Sequence, residues 1–370
     1  MQISPCFAQD DKEKLNEKMK NSNKIAITIG DVGGISPEII IKALNSPAIA
    51  FSLNRFLLIG NQNWFYKTAA ELGFAFPENI EFFDIPLDVS KIIIGKPTIE
   101  SGKHSFLALK KACELVGGLR AEAGEGALPL WNAVYGEQPS NLKIKAIVTA
   151  PTSKEAMNNA GYHYTGQTEI LAEFLTSEEK LKPEMLFVAG NLRVMLLTRH
   201  IKLASVASAL TIDDIIKSIL ALNNSLIKDF KLKNPRIAVC GLNPHAGENG
   251  LLGNEEEALI KPALNKIRTE YNILAEGPFP ADTLWAKAAN AYLKGKNLPY
   301  DAYVACYHDQ GLIPVKMLAM DKAVNTTINL PVIRTSPSHG TAYDIAGQNK
   351  ANYQSMIEAI NLANILAKRE

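Results

Sequence analysis

The sequence predicts an α/β protein with a mainly parallel sheet covered by helices, arranged as two domains or one large interleaved unit. Three observations predict it. A chain of 370 residues exceeds one typical domain of roughly 150 residues. From Ile25 onward, short β-branched runs alternate with amphipathic helical stretches, the pattern of strand-helix-strand units. Most of those runs are continuously apolar rather than alternating, which suits strands covered on both faces.

Met1 to Asn23 is rich in Lys, Asp, Glu, Asn and Gln and too poor in apolar side chains to offset ordering entropy. It is expected to be a mobile or helical arm outside the fold. Ile25–Ile29 then reads as the first strand, and Ser36-Pro37-Glu38 as the start of a helix over Pro37–Leu44, with Ser36 as a cap. Phe56–Ile59 is the next strand, followed by a helix over Ser105–Val116, a strand at Ala146–Thr149 and a helix over Thr168–Phe174. Val194–Thr198, Arg236–Leu242 and Ala302–Tyr307 read as strands, with helices at Ile212–Leu222, Glu255–Arg268, Thr283–Leu293 and Tyr353–Lys368. Asn254, with Glu257 three residues on, reads as a capping-box variant.

Composition excludes several classes. Lys and Arg total 39 against 38 Asp and Glu, a formal charge of +1, so the basic excess of a nucleic-acid binder is missing. No apolar run approaches the ~20 residues that span a bilayer, and the N-terminus lacks the apolar stretch of a signal peptide. Cys6, Cys113, Cys240 and Cys306 form no CxxC pair and mostly sit in apolar contexts, which fits buried thiols in a reducing, cytoplasmic compartment.

The chemistry gathers where three histidines follow three expected strands. His200 follows Val194–Thr198, His245 follows Arg236–Leu242, and His308 follows Ala302–Tyr307. All three are expected at carboxyl ends of strands, the edge at which open α/β sheets bind ligands. One such histidine alone more often hydrogen-bonds a turn; three together could hold a divalent cation as a Lewis acid. His104 and His163 lie in polar segments expected to be exposed, and His339 sits in a glycine-containing loop without an assignment.

The loop Ala246–Gly253 contains three glycines and could wall a ligand site or form an ordinary turn. Anion binding has three candidates: the loop Gly30–Pro37 ahead of a helix, the loop Tyr164–Glu169, and the cations Lys154, Lys316 and Arg334, each just beyond an apolar segment rather than on a solvated helix face. The first is neither GxGxxG nor a Walker loop, so a Rossmann cofactor site is not supported. Asp282 precedes a helix, as its N-cap or as a carboxylate that orients an imidazole or pairs with a substrate ammonium.

Together, Gly241-Leu242-Asn243-Pro244-His245-Ala246-Gly247-Glu248, Pro280-Ala281-Asp282-Thr283-Leu284, Tyr307-His308-Asp309-Gln310-Gly311, Ile333-Arg334-Thr335-Ser336 and Ser338-His339-Gly340-Thr341 closely resemble the 4-hydroxythreonine-4-phosphate dehydrogenase family of pyridoxal phosphate biosynthesis. The resemblance runs from about Ile25 to the C-terminal helix. It implies a two-lobed α/β/α fold similar to isocitrate and isopropylmalate dehydrogenases. Residues 24–150 with about 340–370 would form one lobe, and about 151–339 the second.

It also implies oxidation of 4-phosphooxy-threonine with NAD or NADP, then decarboxylation to 3-amino-2-oxopropyl phosphate, in a homodimer with the site at the subunit interface. His200, His245 and His308 match divalent-metal ligands (zinc, magnesium, cobalt or manganese), one of them from the partner subunit. Gln167, Thr168, Lys316, Asn325 and Arg334 match substrate-binding positions, and Asp282 is the candidate catalytic carboxylate. The chain departs from the family at Gln167, where His is usual, and in the N-terminal loop at Val32, Gly33 and Ser36. Alternatives are a dehydrogenase for erythronate or threonate 4-phosphate, and an acyl or phosphoryl transferase of the same fold.

Overall fold

A computed structural model describes residues 23–49, 55–77, 80–117, 143–175 and 182–368. Of the expected arm Met1–Asn23, residues 1–22, with Cys6 among them, lie outside the described residues, and Asn23 is not in an arm but opens the first strand. The chain divides into two compact units, Met1–Lys180 with His339–Ala367, and Leu181–Ser338 with Lys368–Glu370. Among the described residues no helix is long and apolar enough to cross a membrane.

In the first unit, β1 (Asn23–Thr28), β2 (Phe56–Gly60), β3 (Glu81–Asp84) and β4 (Lys143–Thr149) lie in the order β3-β2-β1-β4, every pair parallel. Ile25, Ile27, Phe56, Leu58 and Val148 are fully buried, as a sheet covered on both faces requires. Helix α1 (Ser36–Leu44) carries Pro37 in its first turn. Ser36 is not its cap. Ile35 holds that position without a side-chain bond, while Ser36 Oγ donates to the Pro151 carbonyl at 2.7 Å. Helix α2 (Gln62–Glu71), unmarked in the sequence reading, is capped by Asn61, whose side chain accepts from Trp64 N.

Helix α3 (Ile99–Gly117) begins six residues before the expected Ser105. Thr98 and Ser101 cap it reciprocally, Ser101 N donating to Thr98 Oγ1 at 3.1 Å and Thr98 N to Ser101 Oγ at 3.2 Å. His104, expected exposed, is instead buried on the inward face of α3, where its Nε2 lies 3.3 Å from the Ile85 carbonyl. Helices α4 (Lys154–Asn159) and α5 (Gln167–Leu175) follow β4. The C-terminal helix Gln354–Ala367 packs back on this unit, burying Met356, Ile360 and Ala363; Ala351 N, just before it, donates to Glu38 Oε1 at 2.9 Å.

The second unit contains β5 (Glu184–Ala189), β6 (Leu192–Leu196), α6 (Ile212–Lys228), β7 (Ile237–Cys240), α7 (Lys261–Tyr271), β8 (Ala275–Phe279), α8 (Ala281–Leu293), β9 (Ala302–Ala305), α9 (His308–Ala319), β10 (Val324–Ile328) and β11 (Ile333–Pro337). The strand order is β11-β10-β5-β6-β9-β7-β8. From β6 to β8 the pairs are parallel; from β11 to β6 they are antiparallel. The core packs Val194, Leu196, Ala238, Tyr303 and Ala305 of the sheet against Leu284 and Ala288 of α8 and Leu312 and Val315 of α9.

Two helical expectations are corrected here. Glu255–Arg268 is not one α-helix: Glu256–Ile260 is a π-turn that leads into α7. Pro262 has no N–H to return to the Ala258 carbonyl, and the wider turn relieves the clash of its ring. The expected Asn254–Glu257 capping box does not form, since that turn begins without a side-chain cap and Glu257 pairs with Lys261. Helix α9 was not among the expected elements; it forms with Gly311 and Pro314 inside it, residue types that ordinarily punctuate helices.

Candidate functional site

The strands β6, β9 and β7 are adjacent and parallel, so their carboxyl ends share one edge. His200, His308 and His245 follow those three ends by a few residues each, as expected. The continuation of β6 is stapled to that of β9: Leu197 N donates to the Ala305 carbonyl at 2.9 Å, and Thr198 donates to the Cys306 carbonyl through N at 3.1 Å and Oγ1 at 2.7 Å. This brings His200 and His308 together, with ring centroids 5.6 Å apart and planes tilted by 46°.

The motif around His308 has a local physical reading. His308 opens α9, and its Nδ1 lies 2.7 Å from Asp309 Oδ1. With the proton on Nδ1, that contact is a donation which leaves the Nε2 lone pair for a ligand. Gln310 ties two strand ends together: its Oε1 accepts from Cys306 N at 2.7 Å and its Nε2 donates to the Gly241 carbonyl at 2.8 Å. Gly311 lets α9 press on the sheet, because a Cβ there would come within 2.5 Å of Leu196 Cδ2 and 3.0 Å of the Ala305 Cβ.

His245 stands in a different setting. His245, Ala246, Gly247, Glu248 and Asn249 all have positive φ, between 44° and 80°. For residues with a Cβ, this conformation costs about 1–2 kcal/mol each, so outside contacts must hold the turn. Backbone bonds from Ala246 N to the Asn243 carbonyl and from Leu252 N to the Gly247 carbonyl close it, and Asn243, at its entry, is anchored by the fully buried Glu256, which accepts from Asn243 N at 2.7 Å and Asn243 Nδ2 at 2.9 Å. The His245 side chain is exposed, with Nδ1 3.7 Å from Glu248 Oε2.

A shared tetrahedral ion needs imidazole centroids roughly 5–6 Å apart, given metal–nitrogen bonds of about 2.0–2.1 Å. The His200–His308 pair meets that spacing, and Asp309 supplies the orienting carboxylate such ligands usually have. These residues fit a divalent ion. His245 does not complete a set with them: among the described residues, no group of three His, Cys, Asp or Glu side chains is placed to hold a metal.

Asn325 and Arg334, expected to bind substrate, lie on one face of the β10–β11 ladder. Thr327 pairs with Arg334 and Asn325 with Ser336, so all four side chains share that face. Arg334 is buried within β11, and its Nη1 donates to Thr327 Oγ1 at 3.0 Å. Asn325 Oδ1 is buried without a hydrogen-bond partner, an acceptor that a ligand donor would satisfy. Lys316 does not stand beyond an apolar run as expected but on the exposed face of α9, and Lys154 is exposed at the start of α4. Asp282 is exposed inside the first turn of α8 rather than at its cap, a position taken by Pro280.

In the first unit, Gln167 and Thr168 open α5. Gln167 Nε2 donates to the Ala150 carbonyl at 3.0 Å and to Thr152 Oγ1 at 2.9 Å, which fixes it at the carboxyl end of β4; Thr168 is buried. In the Gly30–Pro37 loop, an anion candidate above, several amides are already used within the protein: Gly33 N by Asp31 Oδ1, Gly34 N by the Asp31 carbonyl and Ile35 N by the Thr341 carbonyl. Asp31 is buried and holds this joint, accepting also from Ser101 Oγ and Tyr343 OH; burial raises its pKa above the usual carboxylate range.

The buried thiols behave as expected where described. Burial lifts Cys240 to about 12 and Cys306 well above the ordinary thiol value, so neither is a nucleophile. Sequence reasoning missed Asp309, Gln310 and Glu256 as supports of the histidines. The Tyr-His-Asp-Gln-Gly string was visible, but not what each member bonds.

Comparison with known proteins adds independent findings. The family model described as pyridoxal phosphate biosynthetic protein PdxA matches residues 52–363. A protein of Synechocystis sp. named 4-hydroxythreonine-4-phosphate dehydrogenase is 40% identical, covering 94% of this chain and 96% of its own. One of the same name from Thermosynechococcus vestitus is 42% identical over 93% and 97%. The crystal structure of the 4-hydroxythreonine-4-phosphate dehydrogenase from Klebsiella pneumoniae superposes with a TM-score of 0.75 at 34% identity, covering 94% of this chain and 98% of that one.

Proposed function

The chain belongs to the PdxA family of pyridoxal phosphate biosynthetic proteins, and from that premise we propose that it oxidises 4-phosphooxy-L-threonine and decarboxylates the product to 3-amino-2-oxopropyl phosphate. The observation that carries the site assignment is the His200–His308 pair at the carboxyl edge of β6 and β9. His200, His308 and His245 would hold a zinc, magnesium, cobalt or manganese ion, with one of the three drawn from a second copy in a homodimer. When bound, the ion supplies Lewis acidity for negative charge on the substrate oxygen, and NAD or NADP supplies the hydride acceptor.

The remaining work falls to side chains. Arg334 and Lys316 offer charge-assisted hydrogen bonds to phosphate or carboxylate, and the buried Arg334 loses less of that attraction to water. Asn325 Oδ1 accepts from a substrate hydroxyl or ammonium. Gln167 and Thr168 are the further candidates to orient the substrate, and Asp282 is the candidate to move a proton. Three buried thiols and the biosynthetic role support a cytoplasmic setting.

The test is turnover by the purified chain with its metal content measured. NADH should form from 4-phosphooxy-threonine, and His308→Ala should abolish both metal binding and turnover. Arg334→Lys should raise KM, with kcat/KM falling roughly 10–100-fold, because a point charge does not reproduce the guanidinium fork. Faster turnover of erythronate or threonate 4-phosphate would overturn the substrate assignment, and no NADH from any of them would overturn the reaction.

A further inference from the structure

We propose that Glu256 is a positioning residue for His245: it presets, without touching the ion, the left-handed turn that presents this imidazole. The inference rests on the reading of His245 as a metal ligand given above. Glu256 has no exposed surface, and both of its carboxylate oxygens face the loop. Oε1 takes the backbone N–H of Asn243, two residues before His245, and Oε2 takes the Asn243 side-chain amide. Asn243 Nδ2 also donates to Glu255 Oε2 at 2.8 Å, so one amide is clamped by two carboxylates.

The turn folds tightly over this anchor. At Gly247, whose φ is +80°, a Cβ would approach Glu256 Oε2 to 2.6 Å, so the loop can close on the carboxylate only with glycine there. Five successive positive-φ residues begin at His245, and the π-turn Glu256–Ile260 begins at Glu256 itself. The residue that opens the π-turn is thus the one whose carboxylate lies under the loop, and such turns are frequent at functional sites. A neutral or shorter group at residue 256 would leave the turn free to relax to ordinary φ values and carry His245 away from its ligating pose.

Cobalt(II) binding to the full chain separates this from a purely structural role. Affinity is read by chelator competition and coordination by the visible absorption of the cobalt protein. Glu256→Gln should weaken cobalt binding roughly 10–100-fold while the metal-free protein keeps its circular dichroism and melting temperature. In a His245→Ala background, Glu256→Gln should have no further effect on affinity, since the residue through which it acts is gone.

Unchanged affinity in Glu256→Gln, or an equal loss in the His245→Ala background, would overturn the proposal while leaving the metal site standing. Should Glu256→Gln not fold, Glu256→Asp is read in the same way, and failure of both to fold in metal-free buffer assigns Glu256 to the fold and overturns the proposal. No cobalt binding by the unaltered chain, or affinity indifferent to His200→Ala, His245→Ala and His308→Ala, would instead sink the three-histidine reading beneath it.

Discussion

His308 and Asp309, neighbours in sequence, are joined side chain to side chain, with Nδ1 2.7 Å from Oδ1. The contact spends one ring nitrogen on the protein and reserves the other. Asp309→Asn keeps a carbonyl acceptor but loses the charge-assisted hold on Nδ1. Zinc affinity should fall roughly 10–100-fold with little change in melting temperature, measured by competition against a chromophoric chelator. Unaltered zinc affinity would refute this role.

Gly311→Ala tests the seat of α9 on the sheet. The added methyl meets Leu196 Cδ2 and the Ala305 Cβ, both in a packed core. Overpacking of this kind costs about 1–3 kcal/mol, seen as a lower urea midpoint at unchanged slope. His308 rides on the first turn of the same helix, so kcat should fall further than the loss of folded protein explains.

His104 makes stability depend on pH. Burial pulls its pKa from 6.5 to about 4, so the folded chain holds it neutral while the unfolded chain protonates it below about 6.5. The unfolded state then binds more protons, and stability present above pH 6.5 is lost as pH falls towards 4, by about 3 kcal/mol in total. Denaturation midpoints across that window should flatten in His104→Gln, which cannot titrate.

Gln167→His should add a titration that the present chain lacks. Gln167 donates to Ala150 and Thr152 and carries no proton between pH 5 and 8. The variant's kcat/KM profile should gain an inflection between about pH 6 and 7. A profile identical to that of the parent would show that this position takes no part in proton movement.

All six expected strands are present within a few residues, because continuous β-branched runs record burial on both faces directly. The short strand β8, with Gly277 and Pro278 inside it, resembles a turn and survives as the last strand of its order, where a missing N–H is tolerated. β5 and β6 are joined through the two residues Gly190 and Asn191, a hairpin signal present in the string and overlooked. His104 has polar neighbours in sequence, yet its helical phase with Ser101, Ser105 and Ala108 sets it on the buried stripe.

The three histidines were legible because strand ends are legible. Their supports were not, since Glu256 meets Asn243 and Gln310 meets Gly241 only after the sheet has set its strand order. A buried carboxylate has the same letter as a solvated one.

The route of the chain has a consequence for its birth on the ribosome. The second unit is drawn almost wholly from one stretch, Leu181–Ser338, whereas the first combines Met1–Lys180 with His339–Ala367, the Gln354–Ala367 helix lying against β1, β4 and α1. The earlier-made segment must therefore wait, its apolar strands uncovered, while the middle of the polypeptide is translated and can already collapse. Truncation shortly before Gln354 would leave that nascent portion exposed to chaperones and aggregation, even though all of Leu181–Ser338, with His200, His245 and His308, had been made.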